Sequence, residues 1–188
     1  MYKKITPATN DIHRSVQDFK VKEPALNAII QPNLALFELL TEQIKLIETD
    51  LYHNTFKQSD DFQRVSGLPG VGKLLAMTIL LEIGDINRFA QVGNFASYAR
   101  CVESKLISNN KTKGKNNRKC GNRYLSWAFH EAAHHALIFY PEVKAFYQRK
   151  LRKTNKMIAI RAVAHKLARA CFHVLNKHSE FDMKLAFG

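Results

Sequence analysis

Residues 66–75 read SGLPGVGKLL, a stretch in which a proline and three glycines surround the start of an apolar run. Pro69, Gly70 and Gly72 permit a tight turn, and the continuing KLLAMTILLEIG predicts an apolar helix that ends near Gly84. Two helices joined by such a turn are typical of a helix-hairpin-helix, whose backbone N–H groups can approach a nucleic-acid phosphate. A turn that only opens a core helix is the alternative interpretation, and one turn can serve both purposes.

The same letters match the phosphate-loop pattern GxxxxGK, with Gly67, Gly72 and Lys73 in register. A phosphate loop needs a Ser or Thr hydroxyl after the lysine to hold magnesium, and a buried strand before the loop. Leu74 occupies the hydroxyl position, and the preceding KQSDDFQRV has no run of β-branched residues. The pattern therefore argues against nucleotide hydrolysis.

The composition points to a polyanionic partner. Lys and Arg total 29 against 16 Asp and Glu, which gives a net charge of +13. No apolar run approaches the roughly 20 residues of a membrane span, and the N-terminus lacks the apolar segment of a secretion signal. The 3 cysteines contain no CxxC pair, so we expect free thiols. These features predict a cytoplasmic protein with no membrane partner.

The chain is expected to contain a helical arm and one compact domain. Residues 1–32 contain prolines and scattered charge, which predicts a loosely structured lead-in. Over residues 33–59 apolar side chains recur at spacings of three and four, which predicts an amphipathic helix, at Leu36, Leu40, Ile44, Ile47 and Leu51. The arm has too few heptads to establish a coiled coil, but it offers a seam for a homo-oligomer. Residues 60–180 are expected to form an all-α domain, followed by a tail over 181–188.

A basic segment interrupts the helical pattern. From Arg100 to Arg123 there are 8 Lys or Arg and a single acid, Glu103, in a stretch rich in asparagine. Such a segment cannot fold by apolar burial alone, so we expect a loop that is mobile or becomes ordered on a polyanion. Its position between two apolar helical segments is typical of a functional loop presented by a scaffold.

Two further helices are predicted downstream. RYLSWAFHEAAHHALIFY follows Asn122 and should turn a core face inward, at Leu125, Phe129, Ala132, Ala133 and Ala136. In NKMIAIRAVAHKLARACFHVLNKH the inward positions are Ile158, Val163, Leu167, Cys171 and Val174. The outward positions form a second candidate phosphate-contacting surface, at Arg161, Lys166 and Arg169.

The letters HEAAH, residues 130–134, match the zinc-hydrolase pattern HExxH. Zinc would need a third protein ligand, and the nearest acid, Glu142, follows Pro141 too closely to return from a separate helix. A zinc hydrolase is therefore kept as a rival hypothesis, against a helix whose histidines lie near a polyanion or the surface.

The order of these parts resembles a known family. The helical arm is followed by SGLPGVGKLLAMTILLEIGDINRF, FASYARCVES, SNNKTKGKNNRKCGNRYLSWAFHEAA and KTNKMIAIRAVAHKLARA. Together, over residues 33–176, they resemble the C-terminal half of the Piv-like transposases and DNA invertases. Those recombinases combine an N-terminal RuvC-like DEDD domain with a C-terminal serine domain, and some are guided by a bridge RNA.

The resemblance implies a nucleophile. In that family a serine early in the basic loop attacks the DNA backbone, and the matching position here is Ser108 in LISNNKTKG. Ser104 and Ser126 are weaker candidates. The chain departs from the family pattern at Asn109 and Asn110, where glycines are common, and in the histidines of HEAAH.

The resemblance also implies a missing part. Residues 1–32 offer Asp11, Asp18 and Glu23 but no strands on which four acids could converge on Mg²⁺. We therefore expect a truncated or split transposase with no cofactor in this chain. Mg²⁺ is expected only with the missing acidic RuvC-like domain, which a separate polypeptide would supply if the transposase is split.

The sequence thus predicts the DNA-binding C-terminal domain of a transposase, with Ser108 as nucleophile. The predicted DNA contacts lie in the turn, the basic loop and the last long helix, at Gly70, Gly72, Lys73, Arg100, Lys111, Lys113, Lys115, Lys119, Arg123, Arg161, Lys166 and Arg169. A non-catalytic nucleic-acid-binding protein is the main alternative.

Overall fold

The structure, a computed structural model, describes residues 24–102, 105–108, 111–115 and 120–188. These ranges confirm the all-α prediction, with two short strands as the addition. The helices are α1 (Pro24–Leu51), α2 (Asp60–Ser66), α3 (Lys73–Ile83), α4 (Val92–Tyr98), α5 (Arg123–Phe139), α6 (Pro141–Leu151), α7 (Lys156–Asn176) and α8 (Met183–Phe187). A π-helical turn spans Tyr52–Phe56, a 3₁₀ turn spans Ile86–Arg88, and the strands are β1 (Lys105–Ser108) and β2 (Lys111–Lys115).

The chain divides into two compact units, with the boundary after Asn54. In the first, α1 begins at Pro24, so residues 24–32 belong to the helix and not to a lead-in. A proline suits the first helical position because its missing N–H would have no intrahelical partner there. Pro32 lies inside the helix, where the Asn33 side-chain amide donates to the carbonyl of Ile29 at 2.8 Å.

In the second unit α7 is the central helix, and it packs against α2, α4, α5, α6 and α8. Val163, Leu167, Cys171 and Val174 are buried as predicted. Ile158 differs from the prediction, since it is 48% exposed. It lies in the first turn of α7, where its backbone N–H donates to the capping side chain of Asn155 at 2.9 Å.

The predicted core face of α5 is confirmed, since none of its residues has exposed surface, at Leu125, Phe129, Ala132, Ala133 and Ala136. Ala128, which was not predicted, is fully buried as well. Alanines on α5 and on α7, at Ala159, Ala164 and Ala168, are fully buried as well. Because alanine has a short side chain, the two helix backbones can approach closely. The α5–α7 pair is the most extensive contact between helices of this unit.

The turn between α2 and α3 is pressed against α5. Gly70 has a φ of +76°, and a Cβ atom there would lie 2.1 Å from the carbonyl oxygen of Ala132. Leu68 and Val71 on either side are buried. Since the segment before the turn is helix α2 and not a strand, the turn lacks the context of a phosphate loop.

The end of the chain belongs to the second unit. The predicted tail over 181–188 contains α8, and Phe187 is only 2% exposed. The Asp182 carboxylate caps this helix by accepting from the N–H groups of Lys184 and Leu185, at 2.7 and 3.1 Å. In the described ranges, no helix has both the length and the apolar character that crossing a bilayer requires.

Gly70→Ala should lower the free energy of unfolding by about 2–4 kcal/mol, because it adds a clash with the α5 backbone to a strained φ. Gly72→Ala is the matched control: Gly72 has a φ of −86° and an added Cβ would meet nothing within 4 Å. That change should cost less than about 1 kcal/mol. Urea unfolding of both variants measures the difference; equal losses would contradict the packing role of Gly70.

Candidate nucleic-acid interface

The basic segment is not a plain loop, because β1 and β2 form an antiparallel hairpin. Leu106, Ile107 and Thr112 favour strands, and two asparagines separate the strands in sequence, as is common between hairpin strands. The pairing joins Lys105 to Lys115 and Ile107 to Thr112, with an irregularity that leaves Lys113 as the extra residue of β2.

Ser108 is the last residue of β1, and it pairs with Lys111, the first residue of β2. Lys113 and Lys115 follow on β2, and Lys105, on β1, is a basic residue missing from the predicted contacts. Ser104 and Lys119 lie outside the described residues. The hairpin therefore carries the candidate nucleophile and four of the basic residues on two short strands.

The entry and exit of the hairpin are fixed to each other. Arg100 donates from Nε and Nη2 to the carbonyl oxygen of Gly121, at 3.1 and 2.8 Å. The backbone N–H of Asn122 donates to the carbonyl of Tyr98 at 2.6 Å. Gly121 has a φ of +85°, and a Cβ atom there would lie 2.5 Å from the Tyr98 carbonyl oxygen. We call Tyr98, Arg100, Gly121 and Asn122 the hairpin root.

The side chain of Asn122 connects the root to two helices. Its Oδ1 atom caps α5 by accepting from the N–H groups of Tyr124 and Leu125, at 2.8 and 2.9 Å. Its Nδ2 atom donates to Glu82 Oε2 on α3 at 2.5 Å. An asparagine before an apolar-periodic run is a sequence signal for a cap, whereas no local pattern identifies Glu82 as its partner.

Arg100 is thus committed to holding the root. It also has a φ of +55°, which is uncommon for a residue with a side chain. Two of its N–H groups bind a backbone carbonyl, so its first role in this structure is to position the exit of the hairpin. The phosphate contact of Arg100 stays a prediction.

Other cations lie close to the root. Arg123 is exposed; its Nη2 donates to the Tyr124 hydroxyl at 2.7 Å, and its guanidinium lies 4.8 Å from that ring centroid. Arg88, which the sequence analysis missed, lies 4.6 Å from the ring centroid of Phe89 and 4.7 Å from that of Tyr98. Hydrogen bonds from Asn122 and Arg88 lower the pKa of the Tyr98 hydroxyl.

The predicted basic face of α7 is divided between two places. Arg161 lies near the hairpin root, where its charge acts on Cys101 and His130. Lys166 instead donates from Nζ to the carbonyl of Ala186 on α8. Arg169 is exposed and lies near Lys166.

Cys101 is not a nucleophile at this site. Its thiol is 2% exposed and donates to the carbonyl of Ala99 at 3.4 Å. Burial raises the pKa of this thiol to about 12, although the charge of Arg161 opposes the shift. The buried Cys101 thiol is therefore not a competing nucleophile to Ser108.

The HEAAH histidines are placed differently from one another. The Nδ1 atom of His130 lies 2.6 Å from the carbonyl oxygen of Ser126, which can only accept, so Nδ1 carries the proton. Burial lowers the pKa of His130, and His134 is exposed. In the part of the chain that the structure describes, no three His, Cys, Asp or Glu side chains converge as metal ligands, so no third zinc ligand is found there.

The residues of the turn that precedes α3 also differ from one another in exposure. Gly70 packs on α5, whereas Gly72 and Lys73 are exposed at the N-terminus of α3. Gly72 caps this helix without a side-chain hydrogen bond, so a phosphate could approach the exposed first turn.

Asn122→Asp should lower the free energy of unfolding by about 1–2 kcal/mol at pH 7, because the new carboxylate keeps the cap but faces Glu82 without a donor. The double variant with Glu82→Gln should recover most of the lost stability, because the glutamine amide supplies the missing hydrogen-bond donor. Urea unfolding and amide exchange of residues 105–115 measure both effects. A double variant no more stable than Asn122→Asp would contradict the Glu82–Asn122 contact.

Comparison with known proteins bears on the segment that contains the turn, the hairpin and the root. The profile described as the Transposase IS116/IS110/IS902 family matches residues 62–148. The chain is 25% identical over 111 residues to the 44.8 kDa protein of insertion element IS116 from Streptomyces clavuligerus, covering 59% of this chain and 28% of that protein. It is 24% identical over 185 residues to the 43.6 kDa protein of insertion element IS110 from Streptomyces coelicolor (strain ATCC BAA-471 / A3(2) / M145), covering 95% of this chain and 45% of that protein. The chain thus spans less than half the length of these relatives, and its residues 62–148 are similar to the transposase domain of the IS116/IS110/IS902 family.

Proposed function

We propose that this chain is the DNA-binding C-terminal part of a transposase, and that Ser108 is the nucleophile that cleaves a DNA strand. The observation that carries the proposal is the hairpin: it bears Ser108 beside Lys111, and it leaves the helical domain through a root held by hydrogen bonds. The matched family segment includes this hairpin. A base held by hydrogen bonds, with a basic segment beyond it, is suited to presenting a hydroxyl group to a phosphodiester.

The charges support DNA as the partner. The net charge of +13 favours a polyanion, and phosphate contacts supply most of the affinity of sequence-independent binding. The proposed contacts are Lys73 with Gly72 at the exposed N-terminus of α3, Arg123 and Arg161 near the root, and Arg169 on α7. The hairpin adds Lys111, Lys113 and Lys115, and the basic segment after it adds Lys119. Arg100 and Lys166 also bind backbone carbonyls of the protein, and Gly70 contributes through the shape of the turn.

In the cleavage step one bond to phosphorus would form and one would break. The Ser108 oxygen forms a bond to phosphorus after losing its proton, and the bond from phosphorus to one deoxyribose oxygen breaks. That oxygen leaves as a hydroxyl group on taking up a proton. A DNA hydroxyl group then attacks the serine phosphodiester, which joins the strands and returns the serine.

The chain needs help with this step. A serine hydroxyl is a poor nucleophile until a base or a metal removes its proton. The described carboxylates do not group into a Mg²⁺ site, so Mg²⁺ chemistry would be supplied by a RuvC-like acidic domain on a longer or separate polypeptide. A guide RNA is a further proposed partner, from the resemblance alone.

Self-association is proposed through α1. Its apolar side chains are about half exposed, as at Leu36, Leu40, Ile44 and Ile47. A second copy of this helix would bury them, and exposed apolar stripes on helices are typical of such contacts.

Lys113→Ala with Lys115→Ala should flatten the log–log dependence of duplex-DNA affinity on salt by up to about 1.8, since each neutralised phosphate contributes about 0.9. The control, Lys45→Ala with Lys57→Ala, removes the same charge at exposed positions outside the proposed interface. Fluorescence anisotropy over a salt series measures the slopes. The hairpin would be excluded from the interface if both double variants kept the wild-type slope.

Ser108→Ala should abolish a covalent protein–DNA adduct that forms when an acidic RuvC-like domain, Mg²⁺ and cognate DNA are supplied. Binding should be nearly unchanged, because one hydroxyl group adds little to many phosphate contacts. Ser104→Ala, Ser126→Ala and His130→Ala should retain the adduct, which denaturing gels and peptide mapping detect. An adduct that persists in Ser108→Ala would overturn the assignment.

A non-catalytic nucleic-acid-binding protein is the second candidate, and the charge distribution favours it equally, because binding does not require Ser108. It predicts salt-dependent DNA binding with no adduct from any variant or substrate.

A further inference from the structure

Four cationic side chains gather where α6 and α7 meet α8. Three of them surround the ring of Phe146: Arg149 lies 5.9 Å, Lys150 5.6 Å and Lys166 5.0 Å from its centroid. Arg169 is near enough to influence Lys166. We call Arg149, Lys150, Lys166 and Arg169 the α6–α7 cation cluster.

Backbone carbonyls of α8 occupy part of this cluster. Lys166 donates from Nζ to the carbonyl of Ala186, and Arg149 donates from Nη2 to the carbonyl of Phe187 at 3.4 Å. These carbonyls lie at the C-terminal end of α8, where a helix leaves its last acceptors unpaired and carries a partial negative charge. The cations therefore bind oxygen atoms that carry only part of the charge of a phosphate.

Among the residues that the structure describes, no acid forms an ion pair with a member of the cluster. Among ion pairs of the described residues, those recorded join Arg64 or His178 to Asp60 or Asp61, and none includes a member of the cluster. Burial lowers the pKa of Lys166, and the neighbouring charges of Arg149, Arg169 and Lys150 lower it further. An anion placed among these four groups would relieve their repulsion.

The contacts of α8 with the domain centre on its two carbonyls and on Phe187, whose ring centroid also lies 5.6 Å from Lys166 Nζ. Besides its two carbonyls, α8 is anchored by Phe187, whose ring lies 5.6 Å from that of Phe146 at 78°. Leu185 on the same helix is 87% exposed. A five-residue helix with one buried aromatic anchor is the kind of element that opens locally without global unfolding.

We propose that the α6–α7 cation cluster is a phosphate-binding site and that α8 lies in it as an internal ligand, which a phosphate group displaces. In this arrangement α8 competes with phosphate for Lys166 and Arg149, so the site is open only when α8 is released. The inference rests on the proposed function only where it takes DNA as the source of the phosphate.

Amide hydrogen exchange of residues 183–188 tests the displacement directly, with tripolyphosphate and duplex DNA as separate probes. Each probe should increase exchange in α8, whereas NaCl at the same ionic strength should not. The double variant Lys150→Ala with Arg169→Ala leaves the hydrogen bonds of Arg149 and Lys166 to the α8 carbonyls in place. It should weaken the response of α8 exchange to tripolyphosphate. Unchanged α8 exchange with bound DNA and with tripolyphosphate would overturn the inference.

Affinity provides a second readout. Phe187→Ala should release α8 and raise DNA affinity by about tenfold, because the competing state is removed. Leu185→Ala is the matched control and should bind like the wild type. If Phe187→Ala does not fold, Asp182→Ala loosens α8 by removing its cap instead. Equal affinities in released and control variants would contradict the competition.

The two hypotheses can fail separately. If tripolyphosphate releases α8 but the protein does not bind DNA, the phosphate site stands and the proposed function fails. If DNA binds through the hairpin lysines while α8 exchange stays constant with both probes, the proposed function stands and the α8 site fails.

Discussion

The close approach of backbones along the alanine face of α5 is the constraint on which the second unit depends. On one side α7 packs against it, and on another the turn at Gly70 lies so near Ala132 that no side chain fits between them. This contact fixes α3 relative to α5. It thereby brings Glu82 to Asn122, so the core that stabilises the fold also sets the base of the hairpin.

The sequence predicts the fold where periodicity reports burial. The inward faces of α5 and, apart from Ile158, of α7 follow from residue spacing alone. Prediction from the sequence fails where tertiary contacts decide the structure. Pro24 and Pro32 indicated a break but lie within α1. The predicted tail contains a helix, which the packing of Phe187 against Phe146 stabilises. The sequence analysis missed the hairpin because lysines and asparagines outnumber the few residues with a preference for strands in this segment.

The candidate site is less predictable than the fold, because one residue type can serve two purposes. A glycine in a turn can admit a phosphate or a neighbouring backbone, and the structure gives Gly70 the second role. An arginine in a basic segment can bind DNA or a carbonyl, as Arg100 does. The counterparts of these groups are distant in sequence, so composition identifies the charge of the surface but not which cations are already engaged.

The hairpin root has a consequence for how this segment can vary. Since Asn122 is bonded to Tyr98 and Arg100 to Gly121, the ends of the intervening chain are joined whatever its length. The entropy of closing such a segment grows slowly, by about 0.6 kcal/mol for each doubling of length. Insertions between residues 102 and 120 would therefore cost the helical domain little, so this segment can change in length while the root stays the same.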